Sequence, residues 1–499
     1  MTDQEFWAQF EERANNALKK WEVPSFGLGV IKDGKVVMSR GFGKRDIEND
    51  LDADGQTLYQ IGSCTKAFTA AICAKLVDEG KLKWDEKVRT YLPDFKFYDD
   101  FMSKEATIQD ILCHRTGMPR HEYSWYNTKF TREELVDNMR YLEPNIEPRV
   151  ELQYSNHCFI LAGVICEKIT GKTWEELLQE YIFDPLQMTH TNAYIDAIKA
   201  DKDHAEPYGR TAAGKMEGMK KIPFYKTAVE DMSKGIGASL APAGSINSCA
   251  EDMLKWVSMH LHDGKYNDVQ VLSKESVDEL HKPQMLRNNP FDMPNDLTQF
   301  MSYGLGWFTE MYRGHKYVQH GGNINGFSAY TGFVPDLDLG IVCYTNMNSN
   351  FLHFAMARDI MDHYMGYDDI EWSDRYYDYC QMRIANGLGM KYFTGEKIEG
   401  TKPSRDISEF CGTYERKGYE PVSVYEEDGQ LKMSFNGMKS NLDHFHYDTY
   451  VTSAEVGELP VGFPATFEKG DRSGQIEKMA FPVVTEAGAD VVRFYKVKE

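Results

Sequence analysis

The chain has 499 residues, 42% hydrophobic and 27% charged, which is enough for two or three domains and a large core. Its 77 acidic and 56 basic side chains leave a net charge of −21, so the basic patches that nucleic acid or an anionic membrane surface requires are not expected. Nine cysteines without framework spacing suit reduced thiols, and no Cys-x-x-Cys or His-Glu-x-x-His pattern points to a metal.

The first 21 residues read as an amphipathic helix with Phe6, Phe10 and Leu18 among charges. The stretch starts acidic and lacks the apolar run of a secretion signal, which together with reduced thiols predicts a cytoplasmic protein. The longest apolar run, Phe159 to Cys166, is too short to span a bilayer. Gly27 to Gly43 alternates around Asp33-Gly34, a β-hairpin signal. Strand residues Leu58 to Gly62 then lead directly into an uncharged helix opening at Ser63.

From Ile108 to His262 the chain reads as mostly helical with long polar loops, with helices over Thr131–Tyr141, Asn156–Thr170 and Thr173–Tyr181. Strands return over Gly304–Met311, Lys316–His320, Phe327–Val334 and Leu339–Tyr344, with a turn at Pro335-Asp336. Strands from both ends with helices between them predict an α+β fold: one antiparallel sheet built from both ends, with a helical subdomain beside it. This first body is placed at 1–365 and a linker at 366–404, ending in the polar run Gly395 to Ser404. Residues 405–499 carry seven short strand patterns, Gly412–Glu415, Val422–Tyr425, Leu431–Phe435, Tyr447–Thr452, Ala465–Glu468, Ile476–Phe481 and Val491–Val497, and predict a small antiparallel β-barrel.

The chemistry concentrates in three short motifs. Ser63-Cys64-Thr65-Lys66 is the chain's one Ser-x-x-Lys, and its spacing puts hydroxyl and amine on one helix face. The run Ala67 to Ala74 carries no charge, so the helix is expected to be buried on nearly all sides and Lys66 to lose hydration. Desolvation lowers a lysine pKa and can leave a neutral amine beside the serine, which is what an acyl-transfer nucleophile needs. Cys64 is a rival nucleophile, expected to point away from the lysine.

Tyr154-Ser155-Asn156 opens a helix. Its phenol, beside a lysine ammonium, is expected to ionise below its usual pKa of about 10 and to act as general base, with the Asn156 amide as donor to a substrate carbonyl. A second copy of that spacing, Tyr344-Thr345-Asn346, ends an apolar strand and reads as packing. At the end of a strand stands His320-Gly321-Gly322-Asn323. Its glycines suit either a close-lying substrate or a turn, the Asn323 N–H could complete an oxyanion hole, and His320 could orient Tyr154 or bind a substrate carbonyl. His262-Asp263-Gly264 repeats the spacing in polar surroundings and reads as a loop.

In this order and separation, Ser63-x-x-Lys66, Tyr154-x-Asn156 and His320-x-Gly322 resemble the serine β-lactamase-like family, in particular its class C β-lactamase, DD-peptidase, esterase and D-aminopeptidase branch. Leu112–Pro119, Phe183–Met188, Ala241–Ser245 and Tyr303–Trp307 add to a resemblance that covers about residues 5–365. Residues 405–499 resemble the lipocalin-like domain often attached to such hydrolases.

The resemblance implies a serine acyl hydrolase that needs no cofactor or metal. Ser63, Lys66 and Tyr154 would carry the chemistry, with Asn156, His320, Gly322 and Asn323 around the substrate. Tyr154-Ser-Asn156 stands where class A lactamases have Ser-Asp-Asn. His320-Gly-Gly322 stands where class C lactamases have Lys-Thr-Gly, and the loss of that carboxylate-recognising lysine, with the lack of a secretion signal, turns the expectation from penicillins toward small esters, amides or short peptides, D-residues included. An acyltransferase, a β-lactamase or DD-peptidase, and a non-catalytic penicillin-binding-like sensor are the alternatives. Loops around Trp125-Tyr126 and residues 203–235 are expected to shape the pocket, and the barrel to cover its mouth or to join subunits of a homo-oligomer.

Overall fold

A computed structural model describes residues 1–211, 215–225, 238–287, 297–348, 350–368, 370–385, 395–453, 462–484 and 490–497. Residues 212–214 and 226–235 of the expected pocket loop, and 386–394 of the expected linker, lie outside them.

The chain opens with helix α1 (Asp3–Trp21), capped by a Thr2–Glu5 capping box and buried through Phe6, Phe10, Leu18 and Trp21. Strands β1 (Ser25–Lys32) and β2 (Lys35–Asp46) form the expected hairpin, with Asp33 and Gly34 both at positive φ in its turn. The short β3 (Leu51–Asp52) pairs with β2. From the far end of this body come β4 (Met285–Leu286), β5 (Thr298–Tyr303), β6 (Phe308–Tyr312), β7 (His315–Ile324), β8 (Phe327–Val334) and β9 (Leu339–Thr345). Among the described residues these nine strands make one antiparallel sheet in the order β4-β5-β6-β7-β8-β9-β1-β2-β3. The two ends of the chain meet where β9 pairs with β1, Phe26 opposite Thr345 and Lys32 opposite Leu339.

Helices cover both faces of this sheet. On one lie α2 (Thr65–Asp78), α3 (Asn156–Thr170) and α4 (Ala250–Leu261). On the other lie α1, α5 (Leu352–Tyr364) and α6 (Trp372–Ala385). α6 falls inside the stretch expected as linker and is docked: Trp372, Tyr376 and Cys380 are buried, and Trp372 Nε1 donates to Asp362 at 2.8 Å. Its interrupted apolar spacing among Asp, Arg and Tyr hides it in the sequence.

Three other expectations are corrected. Gly304–Trp307 is the turn between β5 and β6 rather than strand, and only Tyr59–Gln60 of Leu58–Gly62 pairs as strand, with Asn247–Ser248. β7 does not stop at His320 but runs on through Gly321, Gly322 and Asn323, paired with β8 as far as Ile324–Phe327. The glycines are therefore neither a turn nor a strand end. A Cβ on Gly322 would lie 1.9 Å from the Ile61 carbonyl oxygen, so the segment leading into Ser63 can press on the strand only because that side chain is missing.

The C-terminal strands close into a barrel of eight, one more than expected. The additional strand, Met438–His446, alternates poorly in sequence but pairs on both sides, Asn441 with Lys432 and Leu442 with Thr452. The interior is filled by side chains, among them Met433, Phe435, Phe467, Met479 and Phe494, each almost wholly buried.

Gly322→Ala should lower stability by about 1–3 kcal/mol through overpacking against Ile61. Denaturant titration measures this, and an unchanged midpoint would show that the strand and the Ser63 segment are free to separate.

Candidate active site

Ser63 sits in a 3-10 turn (Gly62–Cys64) that runs straight into α2. Gly62 takes φ +50, and a Cβ there would meet the Asn323 backbone nitrogen at 2.9 Å, so the serine turn and that part of β7 are nearly in contact. From Thr65 to Ala74 every residue of α2 is buried, which explains its lack of charge. Burying a side chain such as Phe68 or Ile72 contributes about 1.5–3 kcal/mol, and Lys66 is carried inside with them.

The Lys66 amine has three oxygen neighbours: Ser63 Oγ at 3.0 Å, Asn156 Oδ1 at 2.7 Å and the Ala243 carbonyl at 2.8 Å. Two of these can only accept. A neutral amine donates one hydrogen to each and has its lone pair left for the Ser63 hydroxyl. Burial and then the Arg120 charge push the Lys66 pKa well below its ordinary 10.5, against weaker pulls from Glu122 and Cys64. The Ala243 carbonyl is held by the 241–245 stretch, whose Pro242 oxygen accepts from Thr69 at 2.6 Å while Ile246 N donates to Thr65 at 3.1 Å.

Tyr154 immediately precedes the Ser155 cap of α3, with Lys66 Nζ 4.8 Å from its ring centroid. The expected low phenol pKa is corrected. Burial pushes it above the ordinary value, outweighing the Arg120 charge and the contact with Ser63. The sequence shows the lysine nearby but not the burial of the phenol, and burial is the larger effect. Asn156 is likewise turned inward, its carbonyl oxygen accepting from Lys66.

His320 is buried with both ring nitrogens engaged. Nδ1 donates to the Gly321 carbonyl at 2.6 Å, which leaves Nε2 to accept from the Tyr303 hydroxyl at 2.9 Å. Burial, then Lys66, lowers its pKa to about 3, so it stays neutral. Its ring centroid lies 6.3 Å from that of Tyr154, and Tyr303 packs edge-on against both rings. His320 thus braces Tyr303 rather than bonding to Tyr154.

Three neighbours escaped the sequence reading. His114, at φ 60, accepts from Ser155 N at 3.1 Å and packs its ring 4.2 Å from that of Tyr154. Tyr303 supports His320, and the Arg120 guanidinium stands 4.9 Å from the Tyr154 ring centroid on its way to a hydrogen bond with Glu122. His114 and Tyr303 belong to the Leu112–Pro119 and Tyr303–Trp307 stretches, and Arg120 follows the first directly, which was their only signal.

The competing candidates lie elsewhere. Cys64 donates its thiol to the His320 carbonyl at 3.2 Å, and burial pushes its pKa to about 12, which suits a packed thiol and not a nucleophile. Tyr344 is wholly buried in β9 against Tyr59, and Asn346 ties β9 to β1 by accepting from Ser25 N at 2.8 Å. His262-Asp263-Gly264 is the turn that ends α4. All nine cysteines are free thiols, and among the described residues no group of three or more His, Cys, Asp and Glu gathers as a metal site.

A serine held to a buried lysine, with a tyrosine at the start of a facing helix and the whole lying against an antiparallel sheet, defines a class of acyl-transfer enzyme. A family model for beta-lactamase matches residues 10–364, and the chain belongs to that family of serine hydrolases. A second model, a domain of unknown function (DUF3471), matches residues 396–495. The unguisins hydrolase ungD of Aspergillus violaceofuscus is 28% identical over 454 residues, covering 85% of this chain and 77% of that protein. The octameric penicillin-binding protein homologue from Pyrococcus abyssi matches 98% of this chain and 99% of its own, with a TM-score of 0.62 at 23% identity. D-amino acid amidase from Ochrobactrum anthropi matches 72% of this chain and 98% of its own, with a TM-score of 0.57 at 20% identity. Among the described residues no helix is long and apolar enough to cross a membrane.

The lysine geometry fixes a sign for pH dependence. Lys66 accepts a proton only when neutral, so the rate of Ser63 modification should rise with pH through the depressed Lys66 pKa and level off far below 10.5. A fluorophosphonate labelling rate measured from pH 4 to 10 tests this, and a rise centred near 10 would mean that Lys66 is an ordinary ammonium.

Proposed function

We propose that the chain is a hydrolase of small esters, amides or short peptides, acting through an acyl-enzyme on Ser63. The three contacts of the Lys66 amine carry this reading, since they leave its lone pair for the serine proton. Ser63 Oγ bonds to the substrate carbonyl carbon as its proton passes to Lys66, and the carbonyl π electrons move onto oxygen. In this reading the Ser63 and Asn323 N–H groups stabilise that oxyanion, brought near one another because Gly322 lets the Ile61 carbonyl press against β7. When the intermediate collapses, the leaving group departs with a proton from Tyr154, whose raised pKa keeps it a phenol and so a donor. Tyr154 regains its proton from the Lys66 ammonium, and water then attacks the acyl-enzyme by the reverse relay.

In this reading Asn156 holds Lys66 and His320 holds Tyr303, so both act by positioning. The resemblance to an unguisins hydrolase and to a D-amino acid amidase favours amides of short peptides containing D-residues over β-lactams, as does His320 in place of a carboxylate-binding lysine. We place the division between the two bodies after α6, at 1–385 and 405–499. The octameric homologue supports a homo-oligomer.

Ser63→Ala should abolish fluorophosphonate labelling and turnover of p-nitrophenyl esters and D-aminoacyl amides, with the fold intact. Retained labelling would remove Ser63 as nucleophile, and an unlabelled wild type would favour a sensor. Added alcohol or amine that diverts the product without raising hydrolysis would favour an acyltransferase. Tyr154→Phe should lower kcat about 10²–10⁴-fold with less effect on KM, whereas Tyr344→Phe should leave kcat within twofold. Equal losses at both positions would leave Tyr154 without a special role.

A further inference from the structure

The C-terminal barrel does not hang from a tether. The turn Asn436-Gly437, between barrel strands Gln430–Phe435 and Met438–His446, is inserted into the segment 120–128 of the first body. The buried Asn436 side-chain amide donates to the Tyr123 carbonyl at 2.8 Å and to the Tyr126 carbonyl at 2.7 Å. Its own backbone carbonyl accepts from Asn127 Nδ2 at 2.9 Å. One residue thus gives hydrogen-bond partners to two carbonyls at the 3-10 turn Glu122–Ser124 and just beyond it.

Two more barrel residues hold the same segment. The Tyr419 hydroxyl donates to His121 Nδ1 at 2.5 Å, while His121 Nε2 donates to the Glu143 carbonyl at 2.8 Å. Glu420 accepts from Lys129 N at 2.6 Å. Apolar contact follows: the Tyr123 ring packs against Phe435 and Phe463 of the barrel, with centroids 6.0 and 6.3 Å apart.

The side chains that leave the other side of this segment reach the site. Arg120 stands over the Tyr154 ring and bonds to Glu122, and Tyr126 accepts from Asn325 Nδ2 at 2.7 Å, two residues beyond Asn323. Ser124 meets His157 of α3 at 3.0 Å. The barrel therefore touches no reacting group, yet the segment it grips carries the Arg120 guanidinium, 4.9 Å from the Tyr154 ring centroid.

We propose that the barrel is a working part of the active-site wall, with Asn436 and Tyr419 as positioning residues that hold segment 120–127 so that Arg120 stays over Tyr154. This rests on the Ser63 acyl-enzyme reading for its catalytic consequence, but not for the positioning itself. The consequence is electrostatic. The groups facing Lys66 and Tyr154 are Ser63, Cys64, His114, Arg120, Glu122, Tyr303 and His320, and of these Arg120 is the one cation. Its charge lowers the pKa of both the lysine and the phenol, so losing it raises both and moves the rising limb of the acylation profile to higher pH.

The test uses the full chain with Asn436→Ala, Tyr419→Phe, Arg120→Gln and the Asn436→Ala/Arg120→Gln pair. Hydrogen exchange reads the positioning without reference to chemistry. The amides of 120–127 should exchange faster in both barrel variants while those of α2 and α3 keep their protection, and unchanged exchange there in Tyr419→Phe and Asn436→Ala would overturn the proposal. Fluorophosphonate labelling against pH reads the consequence. Arg120→Gln should displace the rising limb of the labelling profile to higher pH and slow labelling at pH values below the plateau, and an unmoved limb would overturn the electrostatic consequence. Each barrel variant should show a smaller displacement in the same direction, and the pair should be no slower than Arg120→Gln alone, since Asn436 acts through Arg120. Fully multiplicative losses in the pair would overturn that coupling. If Asn436→Ala does not fold, Tyr419→Phe, which removes a single hydroxyl, decides on its own. An unlabelled wild type would defeat the Ser63 reading and the catalytic consequence with it, leaving exchange to judge the positioning.

Discussion

The structure is organised around keeping one lysine dry. Lys66 enters the core on a helix with no polar face, and its amine is met by two oxygens that can only accept hydrogen bonds and one hydroxyl that can give a proton. A charged amine there would cost several kcal/mol in lost hydration, because no carboxylate partner is bonded to it. Neutrality is the cheaper state, and in the proposed mechanism the neutral amine is the base that an otherwise inert serine lacks. The apolar packing of α2 and the chemistry of Ser63 are thus one requirement.

That requirement spreads outward through one side-chain and one backbone carbonyl. Asn156 comes from the start of α3 and Ala243 from the short helical turn Ala241–Gly244, so the two acceptors are fixed by how these elements pack on α2. β7 closes the other side, and the absence of a side chain at Gly322 lets the Ile61 carbonyl approach where a Cβ would stand. His320 then serves as a brace: it is neutral, turned into the protein and bonded to Tyr303. What a histidine does in such a site follows from the acceptor beside its Nδ1, which fixes the tautomer.

The two bodies differ in how they reach the reaction. Among the described residues the first supplies the groups found around Ser63, while the barrel interior is filled with its own side chains and the barrel meets the first body through its outside. Its deepest contact is a hairpin turn, where Asn436 lies at φ 51 in the left-handed conformation that asparagine tolerates and turns its amide toward two carbonyls of the facing segment. A polar contact of this kind specifies one docking orientation in a way that an apolar patch would not.

How much could be read without coordinates depended on whether the cause was local. The Ser63–Lys66 spacing, the hairpin at Asp33-Gly34, the uncharged run of α2 and the sheet drawn from both ends of the chain are consequences of neighbouring residues and periodicity, and all four are present. The strand Met438–His446 and the helix α6 were hidden because pairing and docking, not alternation, hold them. Protonation was harder still. From sequence, the uncharged run of α2 already points to a dehydrated Lys66 with a lowered pKa, but the phenolate expected at Tyr154 is disfavoured by burial that arises only when α2, α3 and β7 close together. Arg120 and the Asn436 turn are more than 300 residues apart in the chain, and nothing in either stretch announces the other. The sequence alone determined which groups could react; the tertiary structure decided which are charged and what holds them in place, because desolvation and long-range contact exist only in the folded chain.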